Sequence, residues 1–520
     1  AIGASIFASN IGSEHLIGLA GAGASSGMAM AHWEIQGWMI LILGWVFVPF
    51  YSRSMVYTMP EFLERRYNPQ SRTILSVISL VSYVLTKVAV TVYAGGLVFQ
   101  QVFGIKELWG IDFFWIAAIG LVVLTALYTI FGGMKSVLYT SVLQTPILLL
   151  GSLIILVLGF KELGGWDEMM RVCGAVTVND YGDAMTNLIR SNDDANFPWL
   201  GALIGSAIIG FWYWCTDQFI VQRVLSGKNE KEARRGTIFG AYLKLLPVFL
   251  FLIPGMIAFA LHQKYIGAGG EGFLPMLANG TANADAAFPT LVAKLLPAGV
   301  KGLVVCGILA ALMSSLASLF NSSAMLFTID FYKRFRPETP EKKLVGIGQI
   351  ATVVIVILGI LWIPIMRSVG DVLYTYLQDV QSVLAPGIAA AFLLGICWKR
   401  TSAQGGMWGL IAGMVIGLTR LGAKVYYSNA GEVADSTFKY LFYDMNWLFF
   451  CGWMFLFCII VVIVVSLATE APTAEKIQGL VFGTATKEQK AATRASWDHW
   501  DIIHTAIILA ITAAFYWYFW

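Results

Sequence analysis

The first fifteen residues, Ala1-Ile-Gly-Ala-Ser-Ile-Phe-Ala8-Ser-Asn10-Ile11-Gly12-Ser13-Glu14-His15, decide the fold. An apolar run is interrupted there by small and polar residues and resumes at Leu16-Ile17-Gly18-Leu19-Ala20. A helix broken at membrane depth frees backbone groups that lipid cannot satisfy, so the break must line a cavity or bind something. It reads as the floor of an ion and solute site. The competing reading is a loop between two short buried helices of a soluble protein, and composition rejects it. Of the 520 residues, 58% are hydrophobic and 12% charged, against roughly 25% charged in soluble domains, and mean hydropathy is +0.72. The expected class is an all-α polytopic membrane protein.

Working outward, thirteen membrane helices are expected at about 1–24 (broken), 28–52, 71–103, 112–131, 136–162, 198–222 (broken), 232–262, 299–333, 344–366, 369–398, 405–423, 446–468 and 499–519. The chain opens inside a functional-looking helix, so a leading segment is expected before Ala1. Loops after the even-numbered helices hold 21 of the 34 Lys and Arg and the opposite side holds 11. The positive-inside rule therefore places the start of helix 1 in the cytoplasm and the C-terminus outside. Asn279-Gly-Thr281 is a formal glycosylation sequon in a loop expected to be external. The six cysteines, Cys173, Cys215, Cys306, Cys397, Cys451 and Cys458, mostly lie in apolar runs without metal-ligand spacing and read as packing residues.

Helix 6 carries a second interruption, Gly210-Phe-Trp212-Tyr213-Trp214-Cys-Thr216-Asp217-Gln218, five helices after the first. Five is odd, so a second five-helix unit enters the membrane upside down, which is the inverted-repeat plan of secondary transporters. The division is then 1–162 for the first repeat, 163–197 for an external loop, 198–398 for the second repeat and 399–520 for additional helices. His15, Glu34, Lys87, Asp217 and Lys244 fall at membrane depth, and each costs at least about 2.5 kcal/mol facing lipid. They should face the interior, as a structural network such as Glu34 with Lys244 or as solute ligands. Asp217 has Arg223 as an expected partner. Asn10, Gln36, Tyr213, Trp214, Gln378 and Gln381 add amides, a hydroxyl and flat aromatic faces, an inventory suited to a neutral polyol.

On helix 8, Ala311, Ser314 and Ser315 stand at i, i+3 and i+4, so a carbonyl and two hydroxyls can converge on one face. With carbonyls of Ala8 and Ile11 from the break opposite, they would cage sodium, a hard cation that takes oxygen ligands. Serines in membrane helices also serve close packing, and the pair gains meaning only from the break facing it.

Four stretches carry a resemblance: Ala8 to Gly21, Trp212 to Arg223, Leu312 to Ser322, and Gln378 to Pro386 followed by Trp398-Lys-Arg400. They resemble the sodium/glucose cotransporter family of sodium:solute symporters, with its LeuT-like 5+5 fold, most of all the animal sodium/glucose cotransporters and the bacterial sodium/galactose symporter. The resemblance implies a symporter that moves a hexose, glucose or galactose, inward with sodium by alternating access. It would sit in the plasma membrane, or the inner membrane of a bacterium. Sodium would be bound by Ala8, Ile11, Ala311, Ser314 and Ser315. Sugar would be bound by Asn10, His15, Glu34, Lys87, Lys244 and Gln378, with Tyr213 as the inner gate beneath the ring and Trp214 beside it. Leu19, Trp33 and Tyr374 fall where the family closes the site to the outside. Sodium would join helix 1 to helix 8 and favour the outward-open state.

Two departures bear on stoichiometry. Members with a second sodium site have Asp after Tyr-Thr near the start of helix 5, where this chain has Tyr139-Thr140-Ser141, and Thr where it has Ala317. Both lost oxygens point to one sodium per sugar. A single charge crossing about 100 mV and a tenfold sodium gradient then limit accumulation to roughly 500-fold. Thr91 stands where some animal members have Asp and suggests no role. Other readings are a symporter of another solute, such as myo-inositol or a carboxylate, and a sugar-gated sensor; Glu34 argues against an anion. No nucleophile-base pair or cofactor motif suggests an enzyme. The short basic loops give no sign of nucleic acid, and no obligatory protein partner is evident.

Overall fold

The computed structural model describes residues 2–520 except 13, 55, 57, 226, 278–279, 370–371 and 431–433, and except the side chains at 8, 9, 128, 130–145, 222, 321 and 366–369. The protein is a bundle of helices with one two-residue hairpin, Glu107–Leu108 paired with Ile111–Asp112. Eleven helical runs among the described residues are long and apolar enough to cross a membrane. One of them, Glu14–Ser54, has 41 residues, about 60 Å at 1.5 Å per residue and twice the hydrocarbon thickness. It folds as two crossings because Gly27, at φ +66°, ends helix 1 after Ala20–Ser26, and a 3₁₀ turn Gly27–Met30 leads into helix 2, which ends at Ser54.

Helix 1 comprises Ile2–Asn10 and then Glu14–Ser26, with Ile11 and Gly12 outside the helix as the sequence led us to expect. Helix 3 is Pro69–Phe103, capped by Asn68 with proline in its first turn, the combination that starts a helix. The expectation of separate helices at 112–131 and 136–162 is corrected: one helix runs Phe113–Leu163. Gly132-Gly133 falls between those two bounds, but two glycines cost only about 1 kcal/mol each in a helix, and no proline follows until Pro146. Two apolar segments lie within that one helix, Phe113–Leu127 and Pro146–Leu163, and only the second is long enough by itself to cross a membrane.

Helix 6 is Trp199–Gly210, a wide turn Phe211–Thr216, and Gln218–Leu225. Then come helices 7 (Glu230–Gly267), 8 (Ala298–Phe335), 9 (Glu341–Val369), 10 (Leu373–Cys397), 11 (Ala403–Asn429), 12 (Trp447–Ala468) and 13 (His499–Tyr518). Helices 7 and 10 have 83% of their apolar windows buried, against 33% for helices 9 and 12 and 17% for helix 13, so the first pair is central and the other three line the periphery. Helix 13 lies along helices 2 and 7, where Trp45 Nε1 donates to Thr505 Oγ1 at 2.9 Å and Arg235 pairs with Asp498 and Asp501. All six cysteines are free, four buried and Cys306 and Cys397 exposed. Asn279 of the sequon lies outside the described residues.

Candidate functional site

Four helices lose regular hydrogen bonding near the same level, each for a local reason. In helix 1 the last regular bond is Ile11 N–H to Phe7 O at 2.9 Å, which leaves later carbonyls, Ala8's among them, without helical donors. The chain restarts when His15 and Leu16 both donate to Gly12 O, at 3.1 and 3.3 Å, and opens into a π-helical turn, Glu14–Leu19. Helix 6 widens the same way at Phe211–Thr216 and then breaks at Asp217, which is extended (φ −75°, ψ 128°) and whose Oδ1 caps Phe219 N at 3.2 Å. Helix 3 holds a wide turn at Tyr83–Val88. Helix 7 is interrupted at Lys244 and Leu245, just before Pro247, which has no N–H for the Leu243 carbonyl. Such widened turns present side chains that a regular helix would turn away: His15, Lys87, Tyr213 and Trp214 all lie on them.

Between the irregular segments of helices 1, 6 and 7 and helices 2 and 10 lies a cavity of about 40 Å³. Asn10, His15, Tyr213, Trp214, Lys244 and Gln378 line it, with Trp33 and Tyr374. Glu34, fully buried, stands behind the wall: Lys244 Nζ donates to its Oε2 at 2.6 Å, His15 Nε2 faces the same oxygen at 3.3 Å, and Tyr374 Oη donates to Oε1. Asn10 bridges Lys244 Nζ and Tyr213 Oη, at 3.2 Å each. The Glu34–Lys244 pair named in the sequence reading is thus present, and it anchors the wall of the cavity. Nδ1 of His15, Nε1 of Trp33 and Oε1 of Gln378 are buried without a hydrogen-bond partner. Buried polar atoms are rarely left so, and here they face a space that ligand hydroxyls can enter. At about 10–15 Å³ of such space per water the cavity has room for only a few waters, so a six-membered ring enters only when the side chains part. A larger groove of about 680 Å³ opens on the bundle surface between helices 4, 8 and 9; its walls are mostly aliphatic and bring few polar groups together.

Lys87 is not in the cavity wall. Its ammonium lies 5.1 Å from the Tyr213 ring centroid and 3.8 Å from that of Phe219, and 3.7 Å from Asp217 Oδ2. It sits behind Tyr213, toward the second half of helix 6. The expected partner of Asp217, Arg223, instead donates to Ser5 Oγ at 3.1 Å; Asp217 faces Lys87 and accepts from Tyr83 Oη at 3.4 Å. Leu19 is buried but does not reach the cavity.

Residues not singled out for the site also line it: Glu14, Gly210, Ile209 and Leu377, beside Gln36 and Gln381. Glu14 met the criterion that selected His15, a charge inside an apolar helix, and sequence reasoning passed over it. The aliphatic pair carried no signal.

Helix 8 meets helix 1 at its break. A Cβ on Gly12 would stand 3.1 Å from Ser315 Oγ and 2.6 Å from Glu14 Oε2, so only glycine lets the Ser315 hydroxyl approach this closely. Ile11 and Ala311 are buried, and Ser314 and Ser315 half-buried. A backbone break, the Ser315 hydroxyl and the Glu14 carboxylate therefore share one corner, a donor set of oxygens alone.

At the opposite end Asp285, in the loop between helices 7 and 8, accepts the Leu373 N–H at the start of helix 10 with both oxygens, at 3.2 and 3.1 Å. Its Oδ1 would lie 2.5 Å from a Cβ on Gly21, and Tyr374 would lie 3.1 Å from a Cβ on Gly18. Asp285 thus joins helix 1 to helix 10 above the cavity, and burial pushes its carboxyl up to about 7.

A model of the sodium:solute symporter family matches residues 1–413. The chain is 36% identical over 496 residues to sodium/myo-inositol cotransporter 2 of Homo sapiens, covering 93% of this chain and 72% of that protein. It is 37% identical over 505 residues to the sodium/myo-inositol cotransporter of Canis lupus familiaris, covering 93% and 69%. Among solved structures, a substrate-bound, outward-open Na⁺-coupled sialic acid symporter superposes with a TM-score of 0.67 at 22% identity, over 91% of this chain and 90% of that one. Mhp1, a nucleobase-cation-symport-1 family transporter in a closed conformation, gives 0.50 at 13% identity, over 92% and 94%. These two speak for the LeuT-like fold alone. With two broken helices around a polar cavity and a family match over most of its length, this chain belongs to the sodium:solute symporter family: it is a multi-pass membrane protein that couples movement of a solute to sodium.

Proposed function

We propose that the solute is a neutral six-membered-ring polyol, carried inward with one sodium ion per molecule. The observation that carries this reading is the cavity wall, where His15, Trp33 and Gln378 hold unpartnered polar atoms beside the aromatic faces of Tyr213 and Trp214. Hydroxyls around a ring satisfy such donors and acceptors, while its C–H face lies on an aromatic ring. Glu34 and Glu14 disfavour an anionic cargo by repulsion. Sodium takes the corner of Ala8, Ile11, Ala311, Ser314 and Ser315, and Ala317 supplies no oxygen for a second ion. Trp33 and Tyr374 close the site outward and Tyr213 inward. Residues 1–162 and 198–398 act as the two inverted repeats, with the cytoplasm at the start of helix 1 and the C-terminus outside, in the plasma membrane or a bacterial inner membrane.

Glucose or galactose is the cargo first read from the sequence motifs. Myo-inositol is the second reading, favoured by the names of the relatives. The test is uptake of labelled glucose, galactose and myo-inositol into proteoliposomes with and without an inward sodium gradient. Sodium-driven uptake of one of them, with a reversal potential fitting one ion per solute, supports the reading. Sugar-evoked current without uptake would make the protein a sensor, and uptake competed only by lactate would discard the polyol.

A further inference from the structure

The family match ends at residue 413, yet a residue beyond it stacks on a residue of the cavity wall. Trp447, the first residue of helix 12, stacks on Trp33 with ring centroids 5.5 Å apart and planes at 21°. Phe197 sets its edge against both rings, at 6.2 and 6.4 Å. Trp33 lines the cavity. Both indoles are more than nine-tenths buried, and neither Nε1 has a hydrogen-bond partner. An indole N–H kept from water and from protein acceptors, on the wall of a cavity, is a donor held for a ligand.

The start of helix 12 is fixed independently of Trp33. Asn446 Oδ1 caps Leu448 N at 2.8 Å and its Nδ2 donates to Ala195 O at 2.7 Å, while Leu448 packs onto Gly201 and Gly205 of helix 6. Trp447 is therefore a stationary platform, and the Trp33 indole takes its plane from it. We propose that Trp447 is a positioning residue for solute capture: by stacking, it aims the Trp33 N–H at a ring hydroxyl of the polyol, which makes helix 12 part of the outer closure. This rests on the polyol reading above.

The experiment uses the full chain in proteoliposomes, with glucose and myo-inositol as probes and Trp447→Ala, Trp447→Phe, Trp33→Phe and the double variant Trp447→Ala/Trp33→Phe beside the parent. Trp447→Ala should raise the solute KM about fivefold and leave the half-saturating sodium concentration unchanged. Trp447→Phe, still a flat ring, should return KM to within about twofold of the parent. Trp33→Phe keeps the stack without the N–H and should match Trp447→Ala, and the double variant should be no worse than either. A parent-like KM in Trp447→Ala overturns the proposal, and so does a loss confined to kcat and thermal stability, which is what a merely structural role predicts. Additive losses in the double variant overturn it too. A parent that carries neither probe removes the polyol reading and this role together; a parent that carries one while Trp447→Ala matches it removes this role alone.

Discussion

Helices 1 and 6 are broken at the same level, yet their breaks are made of different materials. In helix 1 the gap holds Ile11 and Gly12, and Gly12 admits the Ser315 hydroxyl from helix 8. In helix 6 the gap is the single residue Asp217, preceded by Trp212, Tyr213 and Trp214. Small residues expose backbone oxygen to an ion; aromatic residues offer flat apolar faces to a ring. The first half of helix 1 packs against the second half of helix 6, so the two helices are antiparallel, and both π-helical turns contact helix 10. Both turns therefore lie on one side of the two breaks, although the chain reaches the turn after the break in helix 1 and before it in helix 6. An inverted repeat alone would put the turns on opposite sides. The departure from that symmetry is what gathers His15, Tyr213, Trp214 and Gln378 around one cavity.

The largest expected effect falls where the two helices share a support. Glu34→Gln leaves Lys244 buried without its counter-charge, a change worth about 3–5 kcal/mol. Uptake should fall at least about 100-fold, with a lowered melting temperature in detergent. Near-parental transport would show that the network is dispensable to both sites. Next come two substitutions that should separate the breaks. Ser315→Ala should raise the half-saturating sodium concentration about tenfold while solute KM, measured at saturating sodium, holds. Tyr213→Phe loses the bond from Asn10 and keeps the ring, and should raise solute KM about fivefold with sodium dependence unchanged. If both variants shift both constants equally, the division of labour between the breaks is wrong.

The smallest effect concerns the closure above helix 1. A buried Asp285 whose carboxyl sits near 7 binds its proton more tightly than a hydrated one near 3.9. The closed arrangement thus gains as pH falls through about 7 and loses that gain as pH rises. Among neighbouring elements, Ala20–Ser26 carries no titratable group, Lys294 donates to Phe273 O, and Tyr374 is engaged with Glu34. Labelling of a cysteine placed at Gln378 by an external thiol reagent, expressed relative to an exposed cysteine labelled in parallel so that thiolate ionisation cancels, should slow about threefold from pH 8 to pH 6, and Asp285→Asn should abolish the difference. An unchanged pH profile in that variant would separate Asp285 from the gate.

Much of this was written in the chain. Hydropathy runs set the crossings, and polar residues inside apolar runs marked both breaks, because lipid forbids unsatisfied backbone wherever it occurs. The Ser-Ser pair of helix 8 became meaningful once a break was expected opposite. Three things only the tertiary structure decided. Lys87, a charge at membrane depth like Lys244, lies behind Tyr213 because the wide turn in helix 3 directs it to Asp217 and Phe219; depth is legible in sequence, azimuth around a distorted helix is not. The break in helix 7 depends on Pro247 acting three residues beyond Lys244, within a run that reads as continuous. Trp447 stands 414 positions after Trp33, and no local pattern announces a stack between residues so far apart. Sequence fixes what each segment cannot tolerate, since that depends on local chemistry and the solvent around it; partners across the bundle emerge only when the packed helices settle their rotations.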